Sequence, residues 1–550
     1  MTAGEPNPDP LPPVGRVRSL VLAQSSAIAW RWGAGLRAAA TVAIPGAALV
    51  AAGHASSALF ATFGAFAVLY GEGRAYRIRA QVVGLAGLAL LLCVIAGAAL
   101  GSVIPESSVP IRIASVLLVV VPGVLAVYVV DALRLGPPGA LFFALVGSGA
   151  LIATEAGASP AALIAGTALG AVSSIIVSMV GAIRDPSRPQ RDAVNRAVAA
   201  VDAYLTPGGA RSATQRNAAG SALIAAWSTM DDAGARPVDA PLLERLQDAN
   251  HRFASASAED AEPAELDPSR EVTTSTMRPT TAHRLRRSLT LSSHAMITAV
   301  RVGIACVVAG AASLALGFDR PHWAAISALV VLQAGVDRVH GTVRGLQRFL
   351  GTAAGLVLYT GLSAWGPTGY ALIAVVAALQ FSIEMLITRN YGAAVTFITP
   401  VALLASGAGM ATASAGPVIR DRLLETAIGV IVAFLAMYFL FPNAHRRTFD
   451  WAAERVRETA RRLTAQTDPT GSETVRETAR CLHFEVEGCV RAAVDSAHNE
   501  PEWARQQWPA QAQLVHAGYD LLSAFWTTPR DRPLPDGAAW SRRFGPSSSD

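Results

Sequence analysis

The chain has 550 residues, 52% hydrophobic and 15% charged, with a mean hydropathy of +0.38; soluble proteins carry roughly 25% charged residues, so an ordinary soluble protein is excluded. Lysine is absent and all the strong bases are arginine, which excludes a G-x-x-x-x-G-K-[ST] phosphate loop and a Schiff-base lysine. The net charge of +5 lies mostly beside apolar runs, where it argues for membrane topology and against nucleic acid.

Residues 1–15 are Pro-rich, with two acids and no base, and read as a disordered cytoplasmic tail. Residues 16–31 read as a short surface helix with Trp30 and Trp32 at the interface, the tail region ending near residue 35. A first membrane unit, 36–184, has candidate spans at 38–53, 57–70, 82–104, 113–130, 139–153 and 161–183. Several fall short of the ~20 residues that cross a bilayer, so a half-buried or re-entrant course is open for them. Arg31 and Arg37, the group Arg74, Arg77 and Arg79, Arg134, and the group Arg184, Arg188 and Arg191 alternate with nearly uncharged loops. That alternation puts the N-terminus inside.

From 185 to 284 the composition turns soluble, with helical patterns near 188–204, 212–232 and 241–257 and an acidic, Pro-containing linker at 258–279. A basic approach, His283-Arg284-Leu285-Arg286-Arg287, opens a second membrane unit, 285–442. Its spans lie near 302–318, 323–336, 349–365, 370–387, 391–406 and 423–441, with Ser406 to Pro417 as a Gly-rich outer loop. The C-terminal domain, 443–550, reads as cytoplasmic amphipathic helices over 448–467, 473–498 and 501–525, disordered from Pro529.

Sliding the chain by 264 positions pairs Arg37 with Arg301, Gly53 with Gly317, Gly71 with Gly335, Arg74 with Arg338 and Gly87 with Gly351. The expected fold is therefore an all-α polytopic membrane protein. It would hold two parallel repeats of about six transmembrane helices, each followed by a helical cytoplasmic segment.

Candidate residues cluster in the second unit. Arg301, Arg344 and Arg348 are expected at span ends, where a planar guanidinium fork can take a carboxylate; the competing reading is a headgroup anchor. Arg37 and Arg74 are the repeat counterparts of Arg301 and Arg338. His322, with Trp323 in the outer turn, has the pKa range of a proton-coupling group, or else anchors the hairpin at the interface. Gln333 bonds either a substrate or a neighbouring helix. Glu384 and Glu425 are the acids within spans and the other proton-coupling candidates; Glu384 has Arg389 nearby as a simple ion-pair partner. His483 and Glu487 stand one turn apart without an evident third ligand, so an exposed helix face is expected, with neither metal nor cofactor. The four cysteines form no Cys-x-x-Cys pair.

The run Arg320-Pro321-His322-Trp323-Ala324, then Val331-Leu332-Gln333, Thr342, Arg344, Arg348 and Gly351-Thr352, resembles the core motif of the fusaric acid resistance (FUSC) family of integral membrane transporters. Arg301 and the Arg422 to Gly429 spacing fit it too. In the first unit Ala58-Leu59 and Leu69 replace His322-Trp323 and Gln333. The resemblance implies a plasma-membrane exporter of small aromatic or organic carboxylic acids, not an enzyme. Charge alternation puts both termini in the cytoplasm, the missing lysine loop argues against ATP, and a homo-oligomer is open. The malate transporters of plants have a similar plan, which makes an anion channel the alternative; a membrane scaffold without transport is the third reading.

Overall fold

The computed structural model describes residues 28–103, 109–136, 138–206, 213–234, 236–258, 278–406, 416–535 and 537–544. The N-terminal tail, most of the acidic linker and most of the Gly-rich loop lie outside the described residues. Among those described, the chain is helical, as composition led us to expect.

The first membrane stretch holds α1 (Ile28–Ala51), α2 (Ala55–Tyr70), α3 (Tyr76–Val103), α4 (Val109–Leu133), α5 (Leu141–Glu155) and α6 (Pro160–Arg184). The soluble stretch that follows holds α7 (Arg188–Leu205), α8 (Ala213–Ala233), α9 (Ala240–Ala258) and the short α10 (Thr281–Arg287). The second membrane stretch holds α11 (His294–Ala315), α12 (His322–Leu332), α13 (Arg338–Trp365), α14 (Gly369–Leu386), α15 (Tyr391–Ala405) and α16 (Gly416–Phe439). Last come α17 (Ala444–Thr464), α18 (Glu473–Asn499), α19 (Pro501–Thr527) and α20 (Gly537–Arg543).

Seven of these helices are long and apolar enough to cross a membrane: α1, α3, α4, α6, α11, α14 and α16. Helix α13 has the length, 28 residues, but its first third carries Arg338, Arg344 and Arg348. Helices α2, α5, α12 and α15 are too short, since at 1.5 Å per residue 15 residues reach only about 22 Å. These four are the interior. All 11 residues of α12 are buried, as is nearly all of α5. The long helices form the outer shell, and on α4 Ile113, Leu117, Val121 and Leu125 make an exposed stripe at four-residue spacing that faces lipid. Pro122 sits within α4 without ending it.

Both stretches run long, short, long, long, short, long, and their contacts are reciprocal: α1 packs on α14, and α11 packs on α4. Inside each stretch the first short helix lies against the last long one, at backbone contact. A Cβ on Gly170 would come within 1.9 Å of the Ala61 carbonyl, and one on Gly429 within 2.2 Å of the Ala324 carbonyl, so only glycine admits the approach. The surface helix expected over 16–31 is not separate at its described end: Ile28 to Arg31 are the first turn of α1, and Trp32 packs on Phe381 at 5.3 Å.

The two soluble stretches, far apart in sequence, build one core. Val194, Leu246 and Phe253 of the first pack with Val456, Leu482, Tyr519 and Trp526 of the second, each large apolar side chain contributing roughly 1.5–3 kcal/mol. His483 is in this core and not on an exposed face: its ring lies 5.6 Å from Tyr519 and 5.4 Å from Trp526, and burial pushes its pKa down to about 4. Glu487 turns away from it to Arg134, at 3.4 Å. Where disorder was expected from Pro529, the described residues 529–535 and 537–544 pack on the bundle. Thr470 and Gly471 donate to the Arg532 and Arg530 carbonyls, and Leu534 and Phe544 are buried, because this strand of chain closes the open side of the bundle.

The bundle grips one end of the membrane helices. Arg74 pairs with Asp232 at 3.1 Å, and the Tyr128 hydroxyl donates to the Leu285 carbonyl at 2.6 Å. Helix α18 holds the turn between α12 and α13: the Asn499 amide donates to the Val336 carbonyl, and His498 lies 2.5 Å from Asp337. The hydrogen bond to Asp337 raises the pKa of His498, and His498 and the α13 amide of His340 lower that of Asp337 against the opposing effect of burial. The histidine contribution is thus complete below about pH 6.5 and fades as pH climbs through the raised value, while the aspartate contribution is lost only in acid. We expect the thermal midpoint of the detergent-solubilised protein to fall between pH 6 and pH 9. His498→Gln should flatten that fall, removing about 1 kcal/mol of pH-dependent stability; superimposable pH profiles would show the contact to be idle.

Candidate functional site

Because the short helices end inside the membrane layer, they leave a space at each of their ends. At the end near the soluble bundle lies a vestibule of about 950 Å³, counting its open mouth. Arg134, Arg344 and Arg491 line it against one acid, Asp131. The N-termini of α5 and α15 open into it at Ala140 and Tyr391, adding the positive ends of two helix dipoles. Gln333, the C-cap of α12, accepts from the Ala140 amide at 2.9 Å, and its Nε2 is without a partner among the described residues. Gln333 therefore does bond a neighbouring helix, and it keeps a free donor on the vestibule. Gly139 makes this possible: its φ is +73°, and a Cβ there would sit 2.6 Å from Gln333 Oε1.

At the opposite end of the short helices a cavity of about 410 Å³ is walled by Phe63 and Phe66 of α2, Leu145 and Ser148 of α5, Trp323 of α12, and Arg422. The Arg422 guanidinium lies 4.5 Å from the Trp323 ring centre, and Arg320 lies 5.0 Å from it on the same indole. Between the two spaces stand buried apolar side chains: Phe66 stacks on Phe142 at 4.3 Å, and Leu329, Val330, Val395 and Ile398 are buried, which we call the septum.

Arg344, Arg348 and Arg422 form a ladder past that septum. Arg344 donates to the Val330 carbonyl at 2.8 Å and lies 4.3 Å from the Tyr391 ring. Arg348, only 1% exposed, is within electrostatic reach of Arg344 on one side and Arg422 on the other. Two of its nitrogens, and two of Arg422's, have no hydrogen-bond partner among the described residues. Uncompensated buried guanidinium is costly, so these N–H groups are positioned for an anion. Arg344 and Arg348 stand two and three turns inside α13, not at a span end as expected, because the helix begins at Arg338 and not near 349. Arg422 was legible only as part of the family motif.

The remaining candidates divide. His322 and Trp323 are 2% and 4% exposed, so they are interior and not interfacial; both ring nitrogens of His322 are unpartnered. Glu425, one turn beyond Arg422, is fully buried. Ser313 Oγ donates to one of its oxygens at 3.0 Å, and the other is unpartnered. Arg301 is likewise interior: it lies two turns into α11 and donates to the Leu440 and Phe441 carbonyls, at 3.2 and 3.4 Å, where the chain leaves α16. Glu384 pairs with Arg31 of α1, not with Arg389, because α14 packs on α1. Arg37 lies 3.8 Å from Glu72. Arg74, as noted, holds the soluble bundle. Among the described residues no three His, Cys, Asp or Glu side chains converge on a common point.

Residues 305–436, from α11 to α16, match the family described as fusaric acid resistance protein-like. The ladder, His322, Trp323 and Glu425 all fall in that match. The chain is thus a polytopic membrane protein whose second unit resembles the fusaric acid resistance type over the matched residues, as the Arg320 to Ala324 run implied. It is similar to an uncharacterized membrane protein, YvaC, of Bacillus subtilis strain 168, with 32% identity over 254 residues, which is 45% of this chain and 38% of that one. This chain therefore matches well under half of that relative's length. No solved structure matches.

If the ladder serves a ligand and not the fold, apolar replacement should be tolerated. Arg348→Met and Arg422→Met are expected to leave the thermal midpoint unchanged or raise it, by up to ~2 kcal/mol in stability, since each removes an unpaired buried charge. A marked loss of stability in both would make the guanidiniums structural.

Proposed function

We propose that this protein is a secondary transporter that carries small organic anions, carboxylates with an apolar or aromatic body, out across the plasma membrane. The observation that carries the reading is the line of arginines from vestibule to outer cavity, in a largely apolar interior. A guanidinium fork pairs with a carboxylate in bidentate fashion, while Phe63, Phe66 and Trp323 suit the body of the same molecule. The positive-inside rule puts the vestibule, the soluble bundle and both termini in the cytoplasm. We take the two membrane stretches as parallel copies of one unit, of which the second kept the charges. The buried Phe66–Phe142 septum favours alternating access over a continuous anion pore.

Without a phosphate-binding lysine loop, the energy comes from a gradient. Glu425 is our choice as proton carrier: it is buried beside Arg422, and one of its oxygens is open to a proton. His322 is the second choice. Glu384 is already matched to Arg31.

The test is efflux of benzoate from proteoliposomes, with and without an imposed pH gradient. Wild-type flux should rise with the gradient, and Glu425→Gln should abolish that dependence while leaving benzoate exchange at equilibrium. Flux that follows voltage and ignores pH would replace the transporter with a channel. A wild-type protein that moves no carboxylate under either condition would sink both and leave a scaffold.

A further inference from the structure

The soluble bundle enters the vestibule at one point. Arg491 of α18 lines both the vestibule and a second cavity beneath it, of about 490 Å³, walled among others by Arg287, Trp451, Gly488 and Asp495. The two cavities share Asp131, Arg134 and Arg491, so these three side chains stand between them, where the membrane helices meet the bundle.

The other cations there are engaged. Arg134 lies 3.6 Å from the Phe484 ring centre, donates to the Phe484 carbonyl at 2.9 Å and pairs with Glu487. Arg287 is held by Glu485. Arg491 is exposed, and among the described residues it makes no hydrogen bond or ion pair. An acid does stand one turn along α18, but Asp495 is directed to His294, at 3.5 Å. Arg491 therefore lines the cavity without a hydrogen-bond partner among the described residues; Asp131 across the same space is the nearby acid within its electrostatic reach.

Its position is set on both sides. Toward the helix start, Gly488 lies so close to Arg134 that a Cβ would be 2.5 Å from a guanidinium nitrogen. Toward the helix end, His498 and Asn499 hold the turn after α12. Arg491 lies between these two fastenings, on a rigid helix that does not itself enter the membrane.

We propose that Arg491 is the outermost anion-binding residue of the path: a carboxylate from the cytoplasm meets Arg491 in the space between bundle and membrane before it passes to Arg344. The bundle would then be part of the substrate site and not only an attachment. This rests on the transporter reading for its direction, but the binding it predicts does not depend on flux.

The experiment compares wild type, Arg491→Glu and Arg491→Lys by two readouts: benzoate binding to the detergent-purified protein by equilibrium dialysis, and the concentration dependence of benzoate efflux. Arg491 is exposed and unpaired, so its variants should fold as wild type does. Arg491→Glu should weaken binding and raise the half-saturating concentration roughly fivefold or more, with the maximal rate changed less than about twofold. Arg491→Lys should recover most of the affinity, and raised salt should weaken wild-type binding more than Arg491→Glu. Unchanged affinity in Arg491→Glu, or a lower maximal rate at unchanged half-saturation, would overturn the proposal. Wild-type binding without flux, still weakened by Arg491→Glu, would keep this site and remove the transporter reading. Neither binding nor flux in wild type would remove both.

Discussion

A helix of 11 to 16 residues cannot cross ~30 Å of hydrocarbon, and its end groups cannot be left in lipid. The architecture follows from that constraint. Helices α2, α5, α12 and α15 are hidden by longer ones, and because they stop short, their ends open on two spaces within the thickness of the membrane layer. Two of those ends are N-termini, each with one amide taken by a side chain, Ala140 by Gln333 and Ala393 by Asn390, and each presenting a positive dipole end that suits an anion. Two of the same helices, α2 and α12, pack on Gly170 and Gly429 at backbone distance.

The charge on this interior is one-sided. By the 264-residue offset, the first-unit positions matching His322, Gln333, Arg344 and Arg348 hold Ala58, Leu69, Ala80 and Gly84. The ladder arginines thus come from the second unit, while Phe63 and Phe66 of the first line the outer cavity. On the transporter reading, a ligand suited to both has an anionic edge and an apolar face. Arg301 and Arg37, paired by that offset, both have partners: Arg301 donates to the carbonyls after α16, with two of its nitrogens unpartnered among the described residues, and Arg37 faces Glu72.

The soluble helices are joined to this frame by specific polar contacts at the inner ends of the membrane helices. Helix α18 makes the densest set, with Phe484 and Glu487 on Arg134 and with His498 and Asn499 on the turn after α12. That turn is the bundle-side end of the hairpin that carries Trp323 and Gln333. A movement of α12 would be felt by α18, and the reverse, because the two share hydrogen-bonded ends.

Much of the plan could be read from residues alone. Apolar run length and arginine alternation determined the membrane class, the span order and the sidedness argument, since both depend on local composition. The run from Arg320 to Gly351 marked the unit where unpaired charge gathers. What sequence order could not supply was which long-range neighbour each polar group would meet. Glu384 beside Arg389 in the chain meets Arg31 in space; His483 on an amphipathic helix is covered by Tyr519 and Trp526; Arg422, one motif residue among several, turns onto Trp323. Helix periodicity shows only which face is apolar. Whether that face meets lipid, another helix or a cavity is settled by how the long helices close around the short ones, and so only the tertiary structure decided which arginines were left without a partner.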